Sequence, residues 1–424
     1  MKNNLFHTPE GVRDIYTEEC ARKTEVQNKI HKVFNLYGYK DIQTPTFEFF
    51  DIFHKERGSV AAKDMFKFVD RDGNTLVLRP DMTPPIARCI AKYYNEEKMP
   101  VRLCYCGNTY TNNSSYQGRL KEITQTGAEL VGDSSSDADA EMIALVIDCL
   151  LHTGLKEFQV ELGQVDFFRG LLLAAGIEKE QEETLRELIE NKNYFGVEEF
   201  LSQLHMEEHL KKIFLKLPDL FGGAEQLALA KSLAVNETCQ KAIERLEKVY
   251  QILDYYGFQN YVSFDLGMLS TYKYYTGIIF KGYTYGTGDM IVTGGRYDKL
   301  MNQFGKDAAA VGFAIAVDQL MLALSRQKIE VSIDLVNTMI LYHSNSQKIA
   351  VPLANHFRNS GLSIQLHRKS LHKSLDEYIA FAKREHIEGI LYIDQTGEEI
   401  QVWNLAEKTS QSVKLQDLMK EVSS

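Results

Sequence analysis

The sequence predicts an α+β fold: a large mixed core carrying a helical insertion, followed by a small α/β unit. Three observations predict it. Strand-like runs and hairpin signals dominate up to about residue 166, helical periodicity is unbroken from about 167 to 257, and strands alternate with helices after about 335. A chain of 424 residues has room for two or three domains. Its hydrophobic fraction of 44% and charged fraction of 25% are those of a globular chain that buries a core without disulfides.

Thr17 to Tyr37 has an amphipathic helical pattern, with Val26, Ile30, Val33 and Phe34 on one face and Gly38 as the stop. A strand follows at Asp41–Pro45. Met65–Val69 and Thr75–Leu78 flank the turn Asp70-Arg-Asp-Gly73 as a hairpin. Val101–Cys106 and Gln125–Val131 read as strands, Asp137–Thr153 as a helix with Asp139 and Glu141 near its amide end, and Phe158–Leu162 as a strand. Apolar positions at helical spacing fill 180–191, 197–204, 207–217 and 237–255. Strands resume at Tyr261–Leu266, Thr276–Tyr283 and Ile291–Thr293, and 309–324 reads as a strand turning into a helix. After a linker at 326–334 come strand 338–342, helix 347–360 closed by Gly361, strand 362–366, helix 375–385 and strand 389–393. That order predicts a three-layer, parallel-rich sheet domain. The expected domains are 1–325, with the insertion at about 167–257, and 335–424.

Composition narrows the function classes. The six cysteines are scattered without a Cys-x-x-Cys pair, so Cys104 and Cys106 read as strand packing and no metal is expected. Reduced thiols and the absence of a signal-like opening or a long apolar run predict a cytoplasmic protein without a membrane span. The net charge of −10, from 48 basic and 58 acidic residues, argues against nucleic acid as the main partner.

The polar residues of the core suit a small zwitterion. An ammonium needs carboxylate or carbonyl acceptors, and an imidazole needs a partner for each nitrogen. Asp81, Thr83, Gln125 and Glu129 offer acceptors, and Tyr274 and Tyr275 offer ring faces and hydroxyls. Gln125 and Glu129, four apart in a strand, project from one face together with Ile123 and Val131. Each of these residues taken alone also fits an ordinary strand polar.

Several stretches resemble the catalytic core of histidyl-tRNA synthetases: Leu78-Arg-Pro-Asp-Met-Thr83, Arg119-Leu-Lys-Glu-Ile-Thr-Gln-Thr-Gly-Ala-Glu129, Tyr272-Lys-Tyr-Tyr-Thr-Gly277, Gly294-Gly-Arg-Tyr-Asp298, Val311-Gly-Phe-Ala314 and the opening Gly11-Val-Arg-Asp14. The resemblance implies a class II aminoacyl-tRNA synthetase-like antiparallel sheet and a homodimer built on the first helix and strand. It also implies an anticodon-binding-like C-terminal domain and an L-histidine site at Asp81, Thr83, Gln125, Glu129, Tyr274 and Tyr275. Adenylate chemistry needs fixed cations on the phosphates, and the resemblance puts the three expected arginines at Tyr105, Ser270 and Gln319. Arg102, Arg119, Lys121 and Lys273 are the nearby candidates to compensate.

Retention of the ligand site without the cations resembles the regulatory-subunit paralogues of ATP phosphoribosyltransferase. That resemblance implies no catalysis or cofactor of its own, a short-form catalytic subunit as partner, and a role in the first step of histidine biosynthesis with feedback by histidine. The alternatives are an active histidyl-tRNA synthetase with rearranged cations and a scaffold unrelated to histidine. tRNA is not an expected partner: Lys348, Arg358, His367-Arg-Lys369 and Lys373 read as a solvated face of the C-terminal domain.

Overall fold

The computed structural model describes residues 6–53, 60–113, 120–269, 274–333, 338–397, 399–415 and 418. The chain divides into two compact units, Met1–Val331 and Ser332–Ser424.

The first unit begins with α1 (Thr17–Leu36), whose buried residues Val26, Ile30, Val33 and Phe34 are those the periodicity selects. Then come β1 (Lys40–Asp41), β2 (Phe47–Phe49), β3 (Lys67–Val69), β4 (Thr75–Leu78), α2 (Thr83–Tyr93), β5 (Val101–Tyr110), β6 (Glu122–Val131), α3 (Ser136–His152), β7 (Phe158–Gln164) and α4 (Val165–Ala175). The insertion supplies α5 (Lys179–Glu190), α6 (Tyr194–Ser202), α7 (Glu208–Lys216), β8 (Phe221–Gly222), α8 (Glu225–Ser232) and α9 (Glu237–Tyr255). The core resumes with β9 (Val262–Asp265), β10 (Ile278–Thr284), β11 (Val292–Arg296), α10 (Asp298–Asn302), β12 (Ala310–Ala316) and α11 (Val317–Arg326).

Nine strands form one sheet in the order β1-β5-β6-β12-β11-β10-β7-β9-β8. Its pairs are antiparallel except β1–β5 and β7–β9. The helices α1, α3 and α9 cover one face: Ile30, Phe34, Met142, Ile147, Leu246 and Leu253 bury with the sheet in one cluster. The insertion shares that cluster through Leu185, Leu201 and Phe214, and β8 adds an edge strand beside β9. It is therefore part of the core rather than an appendage. A three-stranded sheet, β2-β4-β3, stands apart from the large one.

Asp139 and Glu141 do more than favour a helix dipole. Asp139 is fully buried and pairs with both Arg296 (2.7 Å) and Arg245 (2.6 Å), tying α3 to β11 and α9. Glu141 takes a two-pronged bond from Arg102, at 2.9 and 2.8 Å.

The second unit holds β13 (Thr338–Tyr342), α12 (Gln347–Asn359), β14 (Ile364–Arg368), α13 (Leu375–Arg384), β15 (Gly389–Ile393), β16 (Glu399–Asn404) and β17 (Thr409–Lys414). Its sheet runs β14-β13-β15-β16-β17. The first three strands are parallel, as the βαβ order predicts, and β16–β17 extends them as an antiparallel hairpin. Apolar residues of α12 and α13 pack in two separate clusters, giving three layers.

Candidate functional site

A cavity of about 180 Å³ opens on the sheet face that α1 and α3 leave uncovered. Its size lies below the roughly 300–1,000 Å³ of clefts for drug-sized ligands. Strand register builds its floor. Gln125, Gly127 and Glu129 alternate onto one face of β6, and β12 sets Gly312 beside Glu129 and Ala314 beside Gly127. Gly312 has to be glycine, because a Cβ there would collide with the Glu129 carboxyl.

Five of the six predicted contact residues line the cavity: Asp81, Thr83, Gln125, Tyr274 and Tyr275. Asp81 and Thr83 sit where β4 turns into α2, and the Asp81 carboxylate accepts from the Thr83 amide at 3.0 Å. The Tyr274 hydroxyl donates to the other Asp81 oxygen at 3.0 Å. The Tyr274 and Tyr275 rings meet edge to face with centroids 5.0 Å apart. The turn holding Asp81 is anchored by Arg79, whose buried guanidinium donates to the carbonyls of Thr44 (2.8 Å), Pro45 (3.2 Å) and Asn108 (2.8 Å). A side chain at Gly107 would strike that guanidinium, which explains the glycine beside the turn.

The sixth residue, Glu129, lies one layer behind the wall at 1% exposure. Thr83 donates to one of its oxygens at 3.0 Å, and Tyr297 to the other at 2.6 Å. Burial pushes its carboxyl up to about 8, against the pull of the two hydroxyl bonds, and the nearby Asp81 adds to the rise. Tyr297 belongs to the quoted Gly294–Asp298 stretch, but the sequence reading gave it no role. Its spacing to Glu129 in the chain carries no signal of their contact.

The expected arginine positions fare differently. Tyr105 does not line the cavity. It is buried, and its hydroxyl donates to the Phe313 carbonyl at 3.3 Å. The side chains that reach the cavity from β5 and just beyond it are Thr109 and Thr111. Gln319 is half-buried on α11 beside Asp318, which holds Lys23 at 2.8 Å. Ser270 lies outside the described residues, as do Arg119 and Lys273. Arg102 is engaged by Glu141 on the opposite face of β5, and Lys121 packs its stem near Gly11. Among the described lining residues there is no lysine or arginine.

Comparison with known proteins agrees with this geometry. Residues 11–320 match the histidyl-tRNA synthetase family. The chain is 38% identical over 415 residues to an ATP phosphoribosyltransferase regulatory subunit of Acetivibrio thermocellus, covering 98% of this chain and 99% of the relative. It is 39% identical to one of Ruminiclostridium cellulolyticum, covering 97% and 98%. A crystal structure described as an ATP phosphoribosyltransferase regulatory subunit/histidyl-tRNA synthetase of Bacillus halodurans superposes with a TM-score of 0.83 at 33% identity, covering 93% and 99%. A histidyl-tRNA synthetase of Nostoc shares the fold, with a TM-score of 0.81 at 18% identity over 99% of both chains. A class II α+β core, a match to the synthetase family over most of its length and near-full-length likeness to the regulatory subunits together place this chain in the ATP phosphoribosyltransferase regulatory subunit family.

Proposed function

We propose that the chain is a non-catalytic regulatory subunit that assembles with a short-form ATP phosphoribosyltransferase catalytic subunit and binds L-histidine in the cavity beside Asp81. The names of its relatives support the assembly. One observation supports the ligand and the lack of chemistry together: an amino-acid-sized cavity has carboxyl groups at and behind its wall, with no cation among its described lining residues.

The ammonium of histidine would bring a positive charge to this wall. It would sit against Asp81, with Gln125 and the tyrosine hydroxyls offered to the carboxylate and imidazole. Each charge-assisted bond is worth about 1.5–3 kcal/mol. Activating the amino acid would require cations on a triphosphate, and Thr109, Thr111 and Gln125 supply none. Histidine then acts on the partner by binding two assembly states with different affinity. The C-terminal basic residues are partly engaged within their own unit: Arg358 donates to the Ile364 carbonyl and Lys369 to that of Lys373. That favours a role other than gripping tRNA. Self-association through α1 and β1 accompanies this reading.

The test combines calorimetry of histidine with the chain alone, histidine-dependent pyrophosphate–ATP exchange, and co-purification with a short catalytic subunit with and without histidine. Binding, no exchange and histidine-sensitive co-purification are expected. Robust exchange would establish the synthetase reading instead, and absence of binding would favour a scaffold.

A further inference from the structure

A second group of chemistry-bearing side chains lies on the other face of the sheet, at its β1 edge. Asp41 and Cys104 are register partners in the parallel pair β1–β5, so they stand side by side. Helix α1 lays His31 over them. His31 Nε2 is 2.8 Å from Asp41 Oδ1, Cys104 Sγ is 3.7 Å from the same oxygen, and the three donor atoms all lie within 4.8 Å of one another. One turn further along α1, the Asn35 side-chain nitrogen stands 3.3 Å from His31 Nδ1; with an ion on Nε2 that ring nitrogen carries the proton, and the Asn35 amide would turn its oxygen to the ring to accept it.

We propose that His31, Asp41 and Cys104 form a binding site for a zinc-class divalent ion that ties α1 to the β1–β5 edge. With metal–ligand bonds of about 2.0–2.3 Å, tetrahedral donors stand roughly 3.3–3.6 Å apart, so the widest edge of the observed triangle, which lies within 4.8 Å, closes by up to about 1.2 Å around an ion. The donor set decides the class of ion. Imidazole, carboxylate and thiolate together suit a borderline transition ion, whereas calcium and magnesium prefer oxygen alone. Coordination replaces the Cys104 S–H bond with a metal–sulfur bond and releases the proton to solvent. In the single chain the His31 and Asp41 side chains are 44% and 70% exposed, on the α1–β1 face that the proposed self-association uses, while the thiol lies at the buried end of the triangle. Water or a group from a second copy would take the fourth position.

This site is independent of the histidine reading, and a local search for close cysteine pairs misses it because its ligands come from three separate elements. Titration of the full chain with cobalt(II) tests it. We expect one equivalent to give a thiolate-to-cobalt charge-transfer band in the near ultraviolet with the visible bands of a four-coordinate ion. Cys104→Ser should abolish the charge-transfer band. His31→Gln, at an exposed position that leaves folding intact, should weaken binding at least tenfold, and Cys106→Ser, at the neighbouring thiol, should leave the spectrum unchanged. Zinc should raise the melting temperature of the wild type but not of His31→Gln. No charge-transfer band in the wild type, or the same band in Cys104→Ser, overturns the proposal.

Discussion

Asp139 and Glu129 are both buried carboxyls on the same core, at 0% and 1% exposure, yet they are handled in opposite ways. Asp139 sits between two guanidiniums, Arg296 and Arg245, which partly oppose the burial that raises its pKa. Among the described residues Glu129 is met by the hydroxyls of Thr83 and Tyr297, and its proton is held up to about pH 8. A buried charge with its counter-ion supplied by the protein is a structural joint. On the proposed function, a buried carboxyl met by hydroxyl dipoles, one layer behind an open cavity, answers to a cation from outside.

The largest expected effect breaks the first half of that contrast. Arg296→Ala leaves Asp139 with one partner in a closed interior, and removing one member of a buried pair costs about 3–5 kcal/mol. Denaturant unfolding should show this loss. A change below about 1 kcal/mol would mean the joint contributes little to folding.

Next come the carboxyls at and behind the cavity wall. Asp81→Asn and Glu129→Gln should each weaken histidine binding by about 1.5–3 kcal/mol, roughly ten- to a hundredfold, while co-purification with the catalytic subunit persists. Calorimetry reads the first and a pull-down the second; unchanged affinity would move the ligand elsewhere.

Proton linkage gives a smaller and more diagnostic effect. The Glu129 pKa rises on folding from 4.5 to about 8, so the folded state favours the protonated form. The stability from this group is full below about pH 4.5 and is lost as pH climbs through about 8. An arriving ammonium favours the carboxylate, so histidine binding near pH 7 should release a proton. The apparent binding enthalpy should then scale with the ionisation enthalpy of the buffer. Glu129→Gln should remove the part of that dependence that comes from this group and flatten stability between pH 5 and 8.

The smallest effect concerns Tyr105. Its hydroxyl bond to Phe313 lies beneath the cavity, so Tyr105→Phe should cost about 0.5–1.5 kcal/mol of stability at most and leave histidine affinity within error. A large loss of affinity would return this residue to the site.

Tyr105 also shows what a sequence conceals. The amphipathic stripe of α1, the hairpins and the βαβ order after residue 335 were legible because periodicity is local. So were Asp81, Thr83, Gln125, Tyr274 and Tyr275 as neighbours, since the short stretches that carry them resemble a known core. Depth was not legible. Nothing in Val101–Cys106 says which side chain ends at the cavity and which lies flat across Gly127 toward the Phe313 carbonyl, and β5 runs on to Tyr110, so Thr109 and Thr111 arrive instead. Helix α2 is not among the elements the sequence predicts, and it opens on Pro84 and Pro85. Those prolines occupy its first turn, where the missing amide protons have no partner in any case. The β16–β17 hairpin was hidden by its polar, largely exposed residues. Arg296 and Asp139 lie 157 positions apart, and no spacing rule reaches that far.

The manner in which β8 closes the sheet limits how this protein can be shortened. The helical excursion between α4 and α9 looks like a removable cassette, yet it returns to lay Phe221 and Gly222 against β9, and the Leu266 amide is held by the Leu220 carbonyl at the start of the segment leading to Tyr274. Excising it would bare an edge strand, uncover an apolar trough and slacken the chain that delivers the tyrosine pair. A trimmed version should aggregate through that exposed edge and trough.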